Sequence, residues 1–234
     1  MIIKRDRAER GKATTDWLDS RHSFSFGHYY DPKHMGFGAL RVINEDKVIP
    51  SSGFDRHPHR NMEIISYVLE GELAHKDSMG NGSRIKQGEV QLMSAGSGVT
   101  HSEYNASDEK AVHFLQIWIM PFVSGTAPDY QQKTFIFNKV DNFFKVVVSQ
   151  DGEDGSLTIK QDARLLIGKF SQGNIATVKA KKGYGYWVQI ARGNVTVNGE
   201  MAVAGDGLAL HGEDKISVKA TMDSEVLLFE LAGE

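Results

Sequence analysis

The chain has 234 residues, 40% apolar and 24% charged, with a formal net charge of −3. That length buries a sizeable core in one large domain or two smaller ones, and the charge balance gives no electrostatic reason to expect nucleic acid or an anionic membrane as a direct partner. Cysteine is absent, which excludes disulfides, thiolate nucleophiles and Cys-ligated zinc or iron–sulfur sites.

The N-terminal Met1-Ile2-Ile3-Lys4-Arg5-Asp6 lacks the apolar core of a secretory signal. No apolar run approaches the roughly twenty residues that span a bilayer, so a cytoplasmic protein is expected. His22, His28 and His34 follow at spacings of six, which match neither strand nor helix facing; loop hydrogen bonding is the expectation for them. Short β-branched or aromatic runs then recur between turn formers: 39–43, 64–69, 114–120, 144–148, 186–190 and 226–229. They predict antiparallel strands of a sandwich or barrel.

Between the first two runs lies His57-Pro58-His59, answered later by His101-Ser102-Glu103. Each pair is spaced i, i+2, and alternate side chains of an extended strand point the same way. Two such strands side by side bring three imidazoles and a carboxylate to one point. That donor set suits a divalent transition metal and leaves positions open for substrate. Fe(II) suits this donor set, and Mn, Co, Ni, Cu and Zn are also compatible. His75 and His113 fall in predicted strands; His113 shares parity with Leu115, Ile117 and Ile119, so it either lines the interior or packs as a hydrogen-bonded core residue. Ile65, Tyr67 and Ile117 are the candidate interior-facing residues.

The pattern strand, Gly71, strand, turn, Gly88 returns as strand, Gly193, strand, turn, Gly205. This repeat predicts a duplicated barrel, with a boundary within 131–155 and domains at 1–135 and 136–234. Aligning Gly193 with Gly71 sets Lys179 and Lys181 where His57 and His59 stand. His211 has no second ligand beside it in strand register, so the second half is expected to keep the scaffold and lack the site.

Gly53-x3-His57-x-His59-x3-Glu63-x7-Gly71 and Gly88-x12-His101-x3-Asn105 resemble the two cupin motifs, with altered glycine spacings and Ser94 or Ala95 in place of the usual proline. The stretches His22 to Pro32, Met35 to Gly38, Leu40 to Asp46, His57 to Glu63, Asp77 to Asn81, Met93 to Gly98 and Leu115 to Ile119 are similar to the pirin family. The resemblance is nearly continuous from residue 11 to about 123. It implies an all-β bicupin of two antiparallel barrels, with the metal in the N-terminal one, held by His57, His59, His101 and Glu103. In a standard cupin Glu63 would be a ligand; the pirin pattern takes Glu103 instead and leaves Glu63 a supporting or structural role.

Bacterial pirins of this kind imply quercetin 2,3-dioxygenase activity: a flavonol and O2 as substrates, Glu103 as the base, a depside and carbon monoxide as products. The alternative is a non-catalytic, redox-sensing pirin that binds a protein partner such as a transcription regulator. A monomer is expected.

Overall fold

The computed structural model describes residues 1–137 and 142–233. Part of the interval predicted to hold the domain boundary, 138–141, lies outside the described residues. In chain order the first strands are β1 (Ile2–Arg5), β2 (Gly11–Thr14), β3 (Leu18–His22), β4 (Leu40–Val48), β5 (Gly53–His59) and β6 (Glu63–Glu70). They are followed by β7 (Glu72–Asp77), β8 (Gly82–Lys86), β9 (Glu89–Ser94), β10 (Val99–Asn105), β11 (Val112–Ile119) and β12 (Asp129–Thr134). Next come β13 (Phe144–Ser149), β14 (Leu157–Thr158), β15 (Ala163–Phe170), β16 (Ile175–Lys179) and β17 (Tyr184–Arg192). The last are β18 (Asn194–Val197), β19 (Glu200–Val203), β20 (Gly207–Leu210), β21 (Lys215–Ala220) and β22 (Ser224–Ala232). No helix among the described residues is long and apolar enough to cross a membrane.

The chain forms two compact units. The first barrel comprises 11–135 with 159–161, and the second comprises 1–10, 136–158 and 162–234. Residues 1–10 thus depart from the sequence expectation, which counted them with the first barrel. The reason is a ladder: β1 pairs antiparallel with β20, Ile2 opposite Leu210 and Lys4 opposite Leu208.

Each barrel is a seven-stranded sheet with a four-stranded one. In the first barrel the orders are β12-β9-β6-β11-β4-β3-β2 and β5-β10-β7-β8. In the second they are β1-β20-β17-β22-β15-β13-β14 and β16-β21-β18-β19. The repeat glycines occupy the same corner of each barrel: Gly71 has φ 78° and Gly193 has φ 76°. A Cβ on Gly71 would meet the Ala111 carbonyl oxygen at 2.9 Å, and one on Gly193 the Asp223 carbonyl oxygen at 2.2 Å. Only glycine meets both demands at little cost.

The interiors differ. In the second barrel one apolar cluster runs from Phe170 and Tyr186 through Val188, Leu208 and Leu228 to Val218. In the first barrel the described core clusters lie apart: Val68, Leu73, Ile85 and Phe114 in one, Ile64, Met93, Ala95 and Val99 in another. Between them the register sets a row of polar side chains across four strands. Gln116 stands opposite both Asn44 and Ser66, and Ser66 opposite Gln91.

Candidate metal centre

β5 and β10 run antiparallel with His101 opposite His57 and Val99 opposite His59. Because each strand presents alternate residues on one face, the i, i+2 pairs aim inward together. The ring centroids of His57, His59 and His101 are 4.5–4.8 Å apart, and their ligating nitrogens lie within 4.8 Å of one another. The register shifts between His101 and Glu103. Glu103 sits opposite His75 of β7, and its carboxylate groups with His75 and His101 within the same 4.8 Å.

Hydrogen bonds set which nitrogen faces the centre. The His57 Nδ1 hydrogen is directed at the Asp55 carbonyl oxygen, 2.7 Å away, leaving Nε2 as the lone-pair atom. Behind His101, the Asp77 carboxylate accepts from the Asn81 side chain at 2.8 Å and from the backbone amides of Met79 and Asn81 at 2.9 and 3.0 Å. His75 Nε2 donates to Asp77 Oδ2 at 3.1 Å. In that tautomer His75 Nδ1 is an acceptor, with Gln91 Nε2 at 3.3 Å and His101 Nδ1 at 3.5 Å as its donors. His101 Nε2 is then left without a proton. It is buried with no hydrogen-bond partner.

Burial, reinforced by the neighbouring His57, lowers His59 to about 4. Burial and the surrounding imidazoles lower His101 to about 2. Both rings are therefore neutral at neutral pH, the form that binds a metal. Burial pushes Glu103 the other way, to about 7, and the nearby Asp46 adds to this while Ser66 and Gln116 oppose it. Gln116 Nε2 donates to Glu103 Oε2 at 2.6 Å. The Ser66 hydroxyl has Glu103 Oε1 at 3.1 Å and Gln116 Oε1 at 2.8 Å within reach. An orphaned buried imidazole nitrogen, two further imidazoles and a carboxylate with no cationic partner among the described residues fit a divalent cation, whose charge would favour the ionised Glu103.

The centre opens on a cavity of about 190 Å³. His57, His59 and Glu103 form one wall; Ser20, Asn44, Asp46 and Gln116 contribute from the facing sheet, with Phe26, Phe54 and Trp118 as aromatic panels. Trp118 also meets His59 edge-on at 4.9 Å.

Several other sequence candidates fall elsewhere. Ile65, Tyr67 and Ile117 are buried but do not line the cavity. The inward face carries their even-numbered neighbours Ser66, Gln116 and Trp118. Glu63 begins a new strand after the break at 60–62, so its parity is not that of His57 and His59. Its Oε2 accepts from Ser94 Oγ at 2.7 Å and from the Lys160 amide at 3.3 Å, outside the ligand cluster. His113 pairs with Glu45 at 3.0 Å. Of the three histidines expected in loops, His34 lies 4.0 Å from Asp31, whereas His22 is the last residue of β3 and pairs with Asn44 of β4. His22 and His28 instead line the cavity, which spacing alone did not reveal. The missed wall residues carried a readable signal: Asn44, Asp46 and Gln116 are polar residues within strands that also carry apolar runs.

Fold and donor set define a two-barrel cupin-type protein with a divalent-metal centre in one barrel. The family model described as Pirin matches residues 4–119, and that described as Quercetinase C-terminal cupin domain matches 146–231. The protein named Quercetin 2,3-dioxygenase from Escherichia coli (strain K12) is 48% identical over 231 residues, 99% of each chain. Among solved structures, YhhW from Escherichia coli matches with TM-score 0.96 at 46% identity, covering 100% of this chain and 99% of that one. Bacterial pirin YhhW in complex with nickel(II), from the same organism, matches at TM-score 0.95 and 46% identity over 100% of both. The chain belongs to the pirin family.

Proposed function

We propose that this protein is a flavonol 2,3-dioxygenase of the quercetinase type, with Fe(II) held by His57, His59, His101 and Glu103. The observation that carries the reading is a three-imidazole cluster beside a buried carboxylate in an aromatic-walled cavity. The name borne by the 48% identical relative supports the same chemistry.

When bound, the metal would supply a Lewis-acid position that lowers the cost of the flavonol 3-oxygen anion. The protein's own share is binding and proton handling. Phe26, Phe54 and Trp118 offer apolar surface to a flat polycyclic substrate and exclude water from it. Glu103, whose ionised form a bound cation would favour, is the buried carboxylate on the cavity wall placed to accept the 3-hydroxyl proton. Gln116 and Ser66 hold that carboxylate in place while the proton moves. The balance is one flavonol and one O2 consumed, one depside and one carbon monoxide released. A monomer working in the cytoplasm completes this reading.

The test is direct. Iron-loaded protein incubated aerobically with quercetin bleaches the flavonol band and releases carbon monoxide in equal amount, and Glu103→Gln abolishes both. Absence of carbon monoxide from every metal form overturns the enzyme; turnover that survives Glu103→Gln overturns the base.

A further inference from the structure

β4 sends two adjacent inward residues, Asn44 and Asp46, into the cavity. Neither residue is a member of the metal-ligand cluster. Both are buried, at 3% exposure each. Asn44 Oδ1 has no hydrogen-bond partner among the described residues. Asp46 accepts from Ser20 Oγ, and Ser20 Oγ is in turn 2.9 Å from His22 Nε2. With the Ser20 proton committed to Asp46, His22 Nε2 is the donor to Ser20. The chain His22–Ser20–Asp46 therefore fixes the carboxyl but delivers only one neutral donor to it.

A buried carboxyl with one hydroxyl donor and a buried amide oxygen with none are costly unless something supplies hydrogen bonds. Both are cavity-wall residues, so a ligand is in position to supply them. On the cavity wall the pair stands opposite the polar Ser20, His22 and Gln116, while Leu18, Phe26 and Phe54 add apolar or aromatic surface to the same cavity. The occupant that satisfies this wall is an aromatic ring bearing hydroxyl donors.

We infer that Asn44 and Asp46 form a subsite that recognises aromatic hydroxyl groups of the substrate other than the one presented to the metal. The inference rests on the flavonol reading and sharpens it to polyhydroxylated flavonols. Burial pushes the Asp46 carboxyl up to about 7, favouring its protonated form relative to an exposed aspartate. The same row of the second barrel has Leu166 opposite Leu228, where the first barrel has Asn44 opposite Gln116. The polar pair belongs to the barrel that carries the histidine cluster.

The experiment measures dissociation constants of quercetin, galangin and 3-hydroxyflavone for nickel-loaded protein by calorimetry, excluding oxygen. Quercetin carries hydroxyls on both ring systems, galangin lacks those of the pendant ring, and 3-hydroxyflavone keeps only the 3-hydroxyl. The wild-type protein is expected to prefer quercetin to 3-hydroxyflavone by at least about tenfold, the ratio expected from one or two hydrogen bonds to a buried polar group. In Asp46→Asn and, separately, Asn44→Leu, that ratio falls several-fold towards one. Galangin reports which ring system engages the pair. Binding of both extremes with an unchanged ratio in the two variants overturns the subsite while leaving the dioxygenase reading standing. A wild-type protein that binds none of the three overturns both.

Discussion

The two barrels share a strand order and a repeat glycine, yet they spend their interiors differently. In the second barrel the central row reads Leu166, Leu228, Val188, Leu208, closely packed and apolar. In the first the matching row reads Asn44, Gln116, Ser66, Gln91. Where His59 faces the centre, the repeat places Lys181, and Lys181 pairs with the buried Glu230, which Arg164 Nη1 also approaches at 3.3 Å. The second barrel thus supplies its own cations for its buried carboxylate. The first leaves Glu103 with neutral donors only, so the missing positive charge is left to a ligand. One scaffold carries both solutions because the ladders are backbone hydrogen bonds, indifferent to which side chains face inward.

The largest effect should come from the ligands themselves. His101→Ala is expected to reduce nickel uptake of the purified protein from one equivalent to near zero by elemental analysis, while Lys181→Ala leaves uptake at one. Equal losses would erase the asymmetry between barrels.

Next is an exchange of the central row. Leu228→Gln puts an amide without partners into the apolar barrel and should cost about 1–3 kcal/mol in denaturant unfolding. Gln116→Leu, the reverse swap, removes the donor to Glu103 and should weaken metal affinity by about 10–100-fold in a chelator competition. A similar loss is expected for His75→Ala, which releases the tautomer of His101; His75→Gln, which keeps an acceptor, should recover part of it.

The smallest effect is a pH dependence. Glu103 has a folded value near 7, raised above its ordinary 4.5. The folded metal-free protein therefore binds more protons than the unfolded chain between about 4.5 and 7, and this group's contribution to stability falls as pH rises through that window. Metal binding takes the ionised carboxylate, so the gap in Tm between nickel-loaded and metal-free protein should widen from pH 5 to 7 and level off above. His59 and His101, at about 4 and 2, are already neutral there. In Glu103→Gln the gap should be flat across the same range; a slope unchanged by the substitution would remove Glu103 from the metal.

Much of this was legible in the primary structure. Apolar runs with turn-forming borders gave strands, the Gly71 and Gly193 repeat gave two barrels, and i, i+2 spacing brought three histidines to one place. These are properties of the chain over a few residues, where strand alternation acts directly. What the sequence could not decide was register and parity across breaks. Ile65, Tyr67 and Ile117 read as interior because they are apolar, but the pleat turns Gln116 and Trp118 to the cavity. Glu63 had the parity of a ligand until the break at 60–62 restarted the strand. His75 and Asp77 came behind His101, and Asn44, Ser20 and His22 onto the cavity wall, only through pairings between distant strands. The donors of the centre were written locally; much of their hydrogen-bonded support and the cavity in front of them exist only once the sheets are folded, because contacts such as Ser66 with Glu103 and Ser20 with Asp46 join residues tens of positions apart.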